Sequence, residues 1–168
     1  THNTTSAVAR DKGAARILTV SRRPDPEKGE LSYADAVHSG AQIVLNTTPA
    51  GMYPNVGVCN LDVAAMPGLE AVVDVVYNPN KTELILRAEE AGVPVAVGGL
   101  EMLVAQALYA AEYFLDRKFE DASGEIRRIT AALRREMLNI ALIGMPSSGK
   151  TTLGKLLAKQ LHRPFVDL

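Results

Sequence analysis

The sequence predicts an α/β fold with a doubly wound parallel sheet, followed by the start of a second α/β unit. Three observations carry this. Short apolar runs without polar alternation are separated by helical patterns, as expected of parallel strands covered on both faces. Polar loops bounded by Pro and Gly follow several of these runs, at the strand ends where such sheets bind ligands. Near the C-terminus a Gly-bounded loop stands between one more strand-like run and one more helix.

Taken in order, a helical pattern opens at Thr1, runs through Ala7, Val8 and Ala9, and closes at Gly13. Residues 16–20 read as a strand and 31–38 as a short helix. Residues 42–45 and 71–76 are the next strands. Leu84, Ile85, Ala88 and Ala91 share one side of a helix over 81–91 that stops at Gly92, and 93–97 is a further strand. Residues 100–115 are apolar nearly all round, which predicts a helix buried on several sides.

Composition then shifts. Residues 116–137 hold six Lys or Arg and five Asp or Glu. Ser123 is the expected N-cap of a helix striped by Ile126, Ile129, Leu133 and Met137. That helix docks on its own domain, connects two domains, or does both. Residues 139–143 are strand-like, 149–161 helical and 164–167 strand-like again. The domains expected are 1–115, a linker over 116–137, and 138–168.

Bulk properties narrow the function. The 168 residues carry 18 Lys plus Arg against 19 Asp plus Glu, a formal net charge of -1, which argues against a protein that coats nucleic acid or an anionic membrane. Aromatic content is 5% with no Trp, too little for base-stacking platforms. A single cysteine, Cys59, excludes an internal disulfide and any multi-cysteine metal site. No membrane-length apolar run or signal sequence is present, so a cytoplasmic location is expected. The chain starts without Met and stops directly after a strand-like run, so a piece cut at both ends is expected.

The strongest local signal is Gly144-Met145-Pro146-Ser147-Ser148-Gly149-Lys150-Thr151, which fits G-x-x-x-x-G-K-[ST] between strand and helix. Small residues let successive N–H groups curl around phosphate oxygens, and the helix N-terminus adds a positive dipole end. Lys150 would reach the β- and γ-phosphates and Thr151 would ligate Mg2+. The bland alternative is a Gly-rich turn that caps a helix. Asp167 either holds Mg2+ through water or is a strand-end polar residue.

In a dinucleotide-binding fold the residue that reads the ribose follows the Gly-rich turn by about 20 positions. Ser21-Arg22-Arg23 stands at that place. Two arginines there favour the 2′-phosphate of NADP, or are solvated surface charges. Gln106 is a polar group in an apolar run and either bonds backbone or faces a ligand.

Three motifs, Asn46-Thr-Thr-Pro-Ala-Gly-Met-Tyr-Pro54, Asp74-Val-Val-Tyr-Asn-Pro-Asn-Lys-Thr82 and Gly98-Gly-Leu-Glu-Met-Leu-Val-Ala-Gln-Ala107, strongly resemble shikimate dehydrogenase in order and spacing. Residues 138–168 resemble the first 30 or so residues of shikimate kinase. The resemblance implies a Rossmann-type sheet lacking its first strand, then the beginning of a P-loop kinase domain. It implies an enzyme pair that reduces 3-dehydroshikimate with NADPH and phosphorylates shikimate with ATP. By matching position, Ser21, Arg22, Arg23, Thr47, Thr48, Val75, Gly99 and Met102 would contact NADP, and Tyr77 and Gln106 would bind shikimate. Gly144, Ser147, Ser148, Gly149, Lys150, Thr151 and Thr152 would hold ATP, with Lys150 catalytic and Thr151 and Asp167 on Mg2+.

The sequence also departs from both families. Ser-Arg-Arg replaces the usual Asn-Arg-Thr of the dehydrogenases, and neither the Gly-rich turn nor the N-terminal domain with the family's Lys/Asp pair is present. The kinase resemblance stops one residue before a substrate-binding Asp. The 168 residues alone are therefore expected to turn over neither substrate. A quinate-type dehydrogenase joined to another small-molecule kinase, and a non-catalytic nucleotide-binding module, are the competing readings. Nothing in the sequence sets an oligomeric state.

Overall fold

The computed structural model describes residues 2–167. Thr1, expected to open the first helix, and Leu168, at the end of the kinase-like segment, lie outside the described residues. The chain divides into two compact units, residues 1–135 and residues 136–168.

The first unit begins with helix α1 (His2–Asp11) and a short helix α2 (Tyr33–Val37), which is capped by the Ser32 hydroxyl accepting from Asp35 N at 3.1 Å. Strands β1 (Ile43–Asn46), β2 (Ala71–Asp74) and β3 (Val95–Val97) form a parallel sheet in the order β1-β2-β3. Helix α3 (Glu83–Glu90) crosses from β2 to β3. Helices α4 (Leu100–Phe114) and α5 (Ala122–Met137) follow. The sheet is thus parallel, as predicted. Its strands step in one direction, so the described sheet contains no reversal of winding.

The core sits on one face of the sheet. Val72 of β2 packs with Val63, Met66 and Leu69 from the β1–β2 connection and with Leu84, Ile85 and Ala88 of α3. The other face is only partly covered, against the expectation of cover on both sides. Ile43 and Leu45 are 59% and 43% exposed, and they pair in register with Ala71 and Val73.

Three predicted strands do not form. Residues 16–20 run extended but make only a bridge between Val20 and Leu31. Residues 139–143 and 164–167 join no ladder. An apolar run becomes a strand only where a neighbour pairs with it over several residues; Leu31 alone does so for 16–20, donating to Thr19 O at 2.9 Å and accepting from Ser21 N at 3.0 Å.

Helix α4 is not buried on several sides. Its buried residues are Leu100, Val104, Leu108 and Glu112, a single i, i+4 stripe, and Tyr109, Tyr113 and Phe114 are exposed. Val104 and Leu108 pack with Ile126, Ile129 and Leu133 of α5, so most of the predicted stripe docks within its own unit. Asp121, not Ser123, caps α5, accepting from Gly124 N at 2.8 Å. The two helices are also tied through Glu112, which accepts from Phe119 N at 2.8 Å and pairs with Lys118 at 3.2 Å.

In the second unit, helix α6 (Lys150–Leu161) follows the Gly-bounded loop. Gly154 is buried, and a Cβ there would collide with the Phe165 ring, so a missing side chain lets residues 164–167 lie against α6.

Candidate functional site

The site of the first unit is built at the C-terminal ends of β1 and β2. These strands end on a register pair of polar residues, Asn46 opposite Asp74. Asn46 Nδ2 donates to Asp74 Oδ1 at 2.9 Å. Asp74 is fully buried and also accepts from Val76 N at 3.0 Å and Thr82 Oγ1 at 2.6 Å. An isolated carboxylate in such surroundings would be very costly, and three donors offset that cost. On the other side, Asn46 Oδ1 accepts from Thr48 N at 3.1 Å and Thr48 Oγ1 at 2.7 Å, and Thr48 Oγ1 accepts from Ala50 N at 3.3 Å.

The loops after β1 and β2 are therefore one structure. Tyr53 N donates to Asn78 O at 3.0 Å, closing the pair at its far end. Gly51, at φ +81°, lies beside Thr82, where a Cβ would sit 3.3 Å from the threonine Cβ. Gly99 enters α4 with its N–H on Val76 O at 2.9 Å. A Cβ on Gly99 would overlap the Val75 carbonyl, so only glycine fits there.

The predicted residues fall around this frame unevenly. Thr47 and Thr48 are half-buried in the first loop, Val75 and Gly99 form the backbone contact just described, and Tyr77 is 43% exposed in the second loop. Met102 and Gln106 lie one turn apart on α4, both exposed. Gln106 is thus not a buried amide, and the argument from desolvation does not apply to it. Arg22 and Arg23 are exposed after the extended 16–20 segment, in a turn held by Arg23 N donating to Ser21 Oγ at 3.2 Å.

Asn46 and Thr82 carry the frame, although sequence reasoning alone does not single them out as site residues. Their signal was present, since each is a polar residue at the end or start of an otherwise apolar element. A hollow of about 390 Å³ beside β3, lined by Lys81, Glu89, Glu101 and Arg134 among others, includes none of the predicted residues.

In the second unit, Ser147, Ser148, Gly149, Lys150, Thr151 and Thr152 surround a hollow of about 270 Å³ at the start of α6. Ser147 and Gly149 adopt positive φ, +62° and +79°, which turns the loop into the helix. Lys150 Nζ donates to Gly144 O at 2.9 Å and Met145 O at 2.7 Å. Asp167 is exposed. No cluster of three or more His, Cys, Asp or Glu is placed to hold a metal among the described residues. No helix is long and apolar enough to cross a membrane among them.

No family model matches the chain. Over 118 residues it is 30% identical to the NADP(+) shikimate dehydrogenase of Clostridium beijerinckii, covering 66% of this chain and 43% of that protein. Over 126 residues it is 32% identical to its counterpart in Clostridium perfringens, covering 68% and 45%. A chorismate mutase/shikimate 5-dehydrogenase fusion protein from Clostridium acetobutylicum superposes with a TM-score of 0.71 at 28% identity, covering 79% of this chain and 50% of that one. The chain spans less than half the length of the two curated relatives. Across about two thirds of its own length it is homologous to shikimate dehydrogenases.

Proposed function

We propose that the first unit is the cofactor-binding part of an NADP-dependent shikimate dehydrogenase, which reduces 3-dehydroshikimate to shikimate. The observation that carries this reading is the joining of the two ligand-facing loops through Asn46 and Asp74, at strand ends where α/β sheets bind ligands. The homologous dehydrogenases, named for NADP(+), support it further. Arg22 and Arg23 would pair with the 2′-phosphate, Thr47, Thr48, Val75, Gly99 and Met102 would line the cofactor, and Tyr77 and Gln106 would hydrogen-bond shikimate. The bare backbone at Gly99 fits a group that needs close approach. Hydride transfer is the chemistry the nicotinamide supplies when bound, and these residues bind and orient it.

Titration of the 168-residue chain with NADP+ and NAD+ tests the reading. NADP+ should bind at least about tenfold more tightly, as expected for one charge-assisted phosphate contact. Equal affinity would remove the argument for NADP.

A second observation supports a second activity. Lys150 Nζ rests on the loop carbonyls of Gly144 and Met145, beside an open hollow of about 270 Å³ lined by Ser147 to Thr152. On this reading the second unit is the start of an ATP-binding kinase domain of shikimate kinase type, in which Thr151 and Asp167 would hold Mg2+ and the metal would neutralise phosphate charge. ATP should bind in the presence of Mg2+ and AMP, which lacks the β- and γ-phosphates, should not. Equal binding of the two would leave only a helix-capping turn.

A further inference from the structure

We propose that the Thr82 hydroxyl is a positioning group for the loop over 46–54, acting on it through Asp74 and Asn46. The proposal rests on the reading of that loop as cofactor-lining, and its own test is independent of the cofactor.

The polarity of the hydrogen bonds gives the chain a direction. Thr82 has one hydroxyl proton, and it is donated to Asp74 Oδ2. Asp74 Oδ1 takes the Asn46 amide nitrogen. A carboxylate accepts only, so it dictates which end of the Asn46 amide faces it. The Asn46 oxygen is thereby turned toward Thr48, where it accepts from both the backbone N–H and the hydroxyl. With its proton so committed, Thr48 Oγ1 accepts from Ala50 N. A flipped Asn46 amide would set oxygen against oxygen at one end and N–H against N–H at the other.

The relay starts in a place water does not reach. Asp74 is 0% and Thr82 1% exposed. A lost partner there is not replaced by solvent, and linked bonds of this kind reinforce one another.

Thr82 meets the loop in a second way, because its methyl lies beside Gly51. The hydroxyl also caps α3, accepting from Ile85 N at 3.4 Å, and the far end of that helix reports any loss of the cap. Thr82→Val keeps the methyl and removes the hydroxyl; Thr82→Ser does the reverse.

The test is amide hydrogen exchange on the full chain, read at Thr48 and Ala50, with Ala91, whose N–H is bonded to Arg87 O at the far end of α3, as the control for general loosening. Thr82→Val should speed exchange at Thr48 and Ala50 by about tenfold or more, and Thr82→Ser should stay within about threefold of the parent. Parent-like exchange in Thr82→Val, or a larger effect from Thr82→Ser, would overturn the proposal. If Thr82→Val does not fold, the parent protein decides. The relay requires the Thr82 hydroxyl proton and the Asn46 side-chain amide protons to exchange slowly in NMR spectra, and rapid averaging would overturn it. Titration with NADP+ separates the two levels. Failure of the parent to bind NADP+ sinks the cofactor reading and leaves the exchange result to decide the relay. Where the parent binds, Thr82→Val should lose about tenfold in affinity and Thr82→Ser should retain it.

Discussion

The Glu112 carboxylate accepts from Phe119 N at 2.8 Å, reaching from the last turn of α4 to the connection that leads into α5. The Phe119 N–H, and after it the Lys118 ammonium, hold this carboxyl below the usual glutamate range, while burial works against them. A lowered pKa means that the contribution to stability is fully present above the unfolded glutamate value, about 4.3, and is lost as the pH falls below it. Glu112→Gln keeps an acceptor but loses the charge, so its melting temperature should vary less than that of the parent between pH 5 and 3. Melts across that range check this, and parallel curves for the two proteins would contradict it.

Arg22 lies in the exposed turn after the 16–20 segment. Arg22→Ala should weaken NADP+ binding roughly 10- to 100-fold, the worth of a charge-assisted contact of about 1.5–3 kcal/mol. NAD+ lacks the phosphate, so its affinity should barely change. Calorimetric titration with both dinucleotides gives the answer, and equal losses would assign Arg22 a structural role instead.

Gly99 has an ordinary φ of -76°, so no left-handed strain demands glycine there. The demand is spatial, because the obstacle is the Val75 backbone carbonyl and not a flexible side chain. Gly99→Ala should cost about 2–4 kcal/mol in urea unfolding, the range of overpacking plus a disturbed backbone contact. Gly92→Ala is not a fair control because Gly92 has positive φ; Gly57, with open space around it, is.

Lys150→Ala should reduce ATP affinity about 10- to 100-fold in the presence of Mg2+. It also removes the two hydrogen bonds to Gly144 O and Met145 O. Lys150→Arg, which keeps the charge but not the compact ammonium, should fail as well. Binding by Lys150→Ala at parental strength would mean that the loop does not grip phosphates.

The elements that the sequence made legible are those whose signals are local. The apolar side of α3 with its stop at Gly92, the docking stripe of α5 and the Gly149 start of α6 were all readable from periodicity and turn chemistry. That the runs over 42–45 and 71–76 belong to a parallel sheet followed from their unbroken apolar character; their pairing with each other did not. What failed was non-local. Residues 16–20 and 139–143 have strand composition, but composition does not supply a partner. Gln106 looked buried because its helix is apolar, and the period alone does not say which stripe turns inward. In the site, Asn46 and Thr82 went unmarked because their role depends on Asp74, 28 residues from one and 8 from the other.

Helix α4 buries one stripe and presents Met102, Tyr109 and Tyr113 on the opposite side, the last of them 84% exposed. An environment-sensitive dye such as ANS would find apolar surface on the folded chain before any heating. Dye fluorescence would then begin high and would not mark the loss of structure. Thermal stability of this protein and of its variants is better followed by circular dichroism or calorimetry, in which signal arises from the backbone and the heat of unfolding and not from what the surface adsorbs.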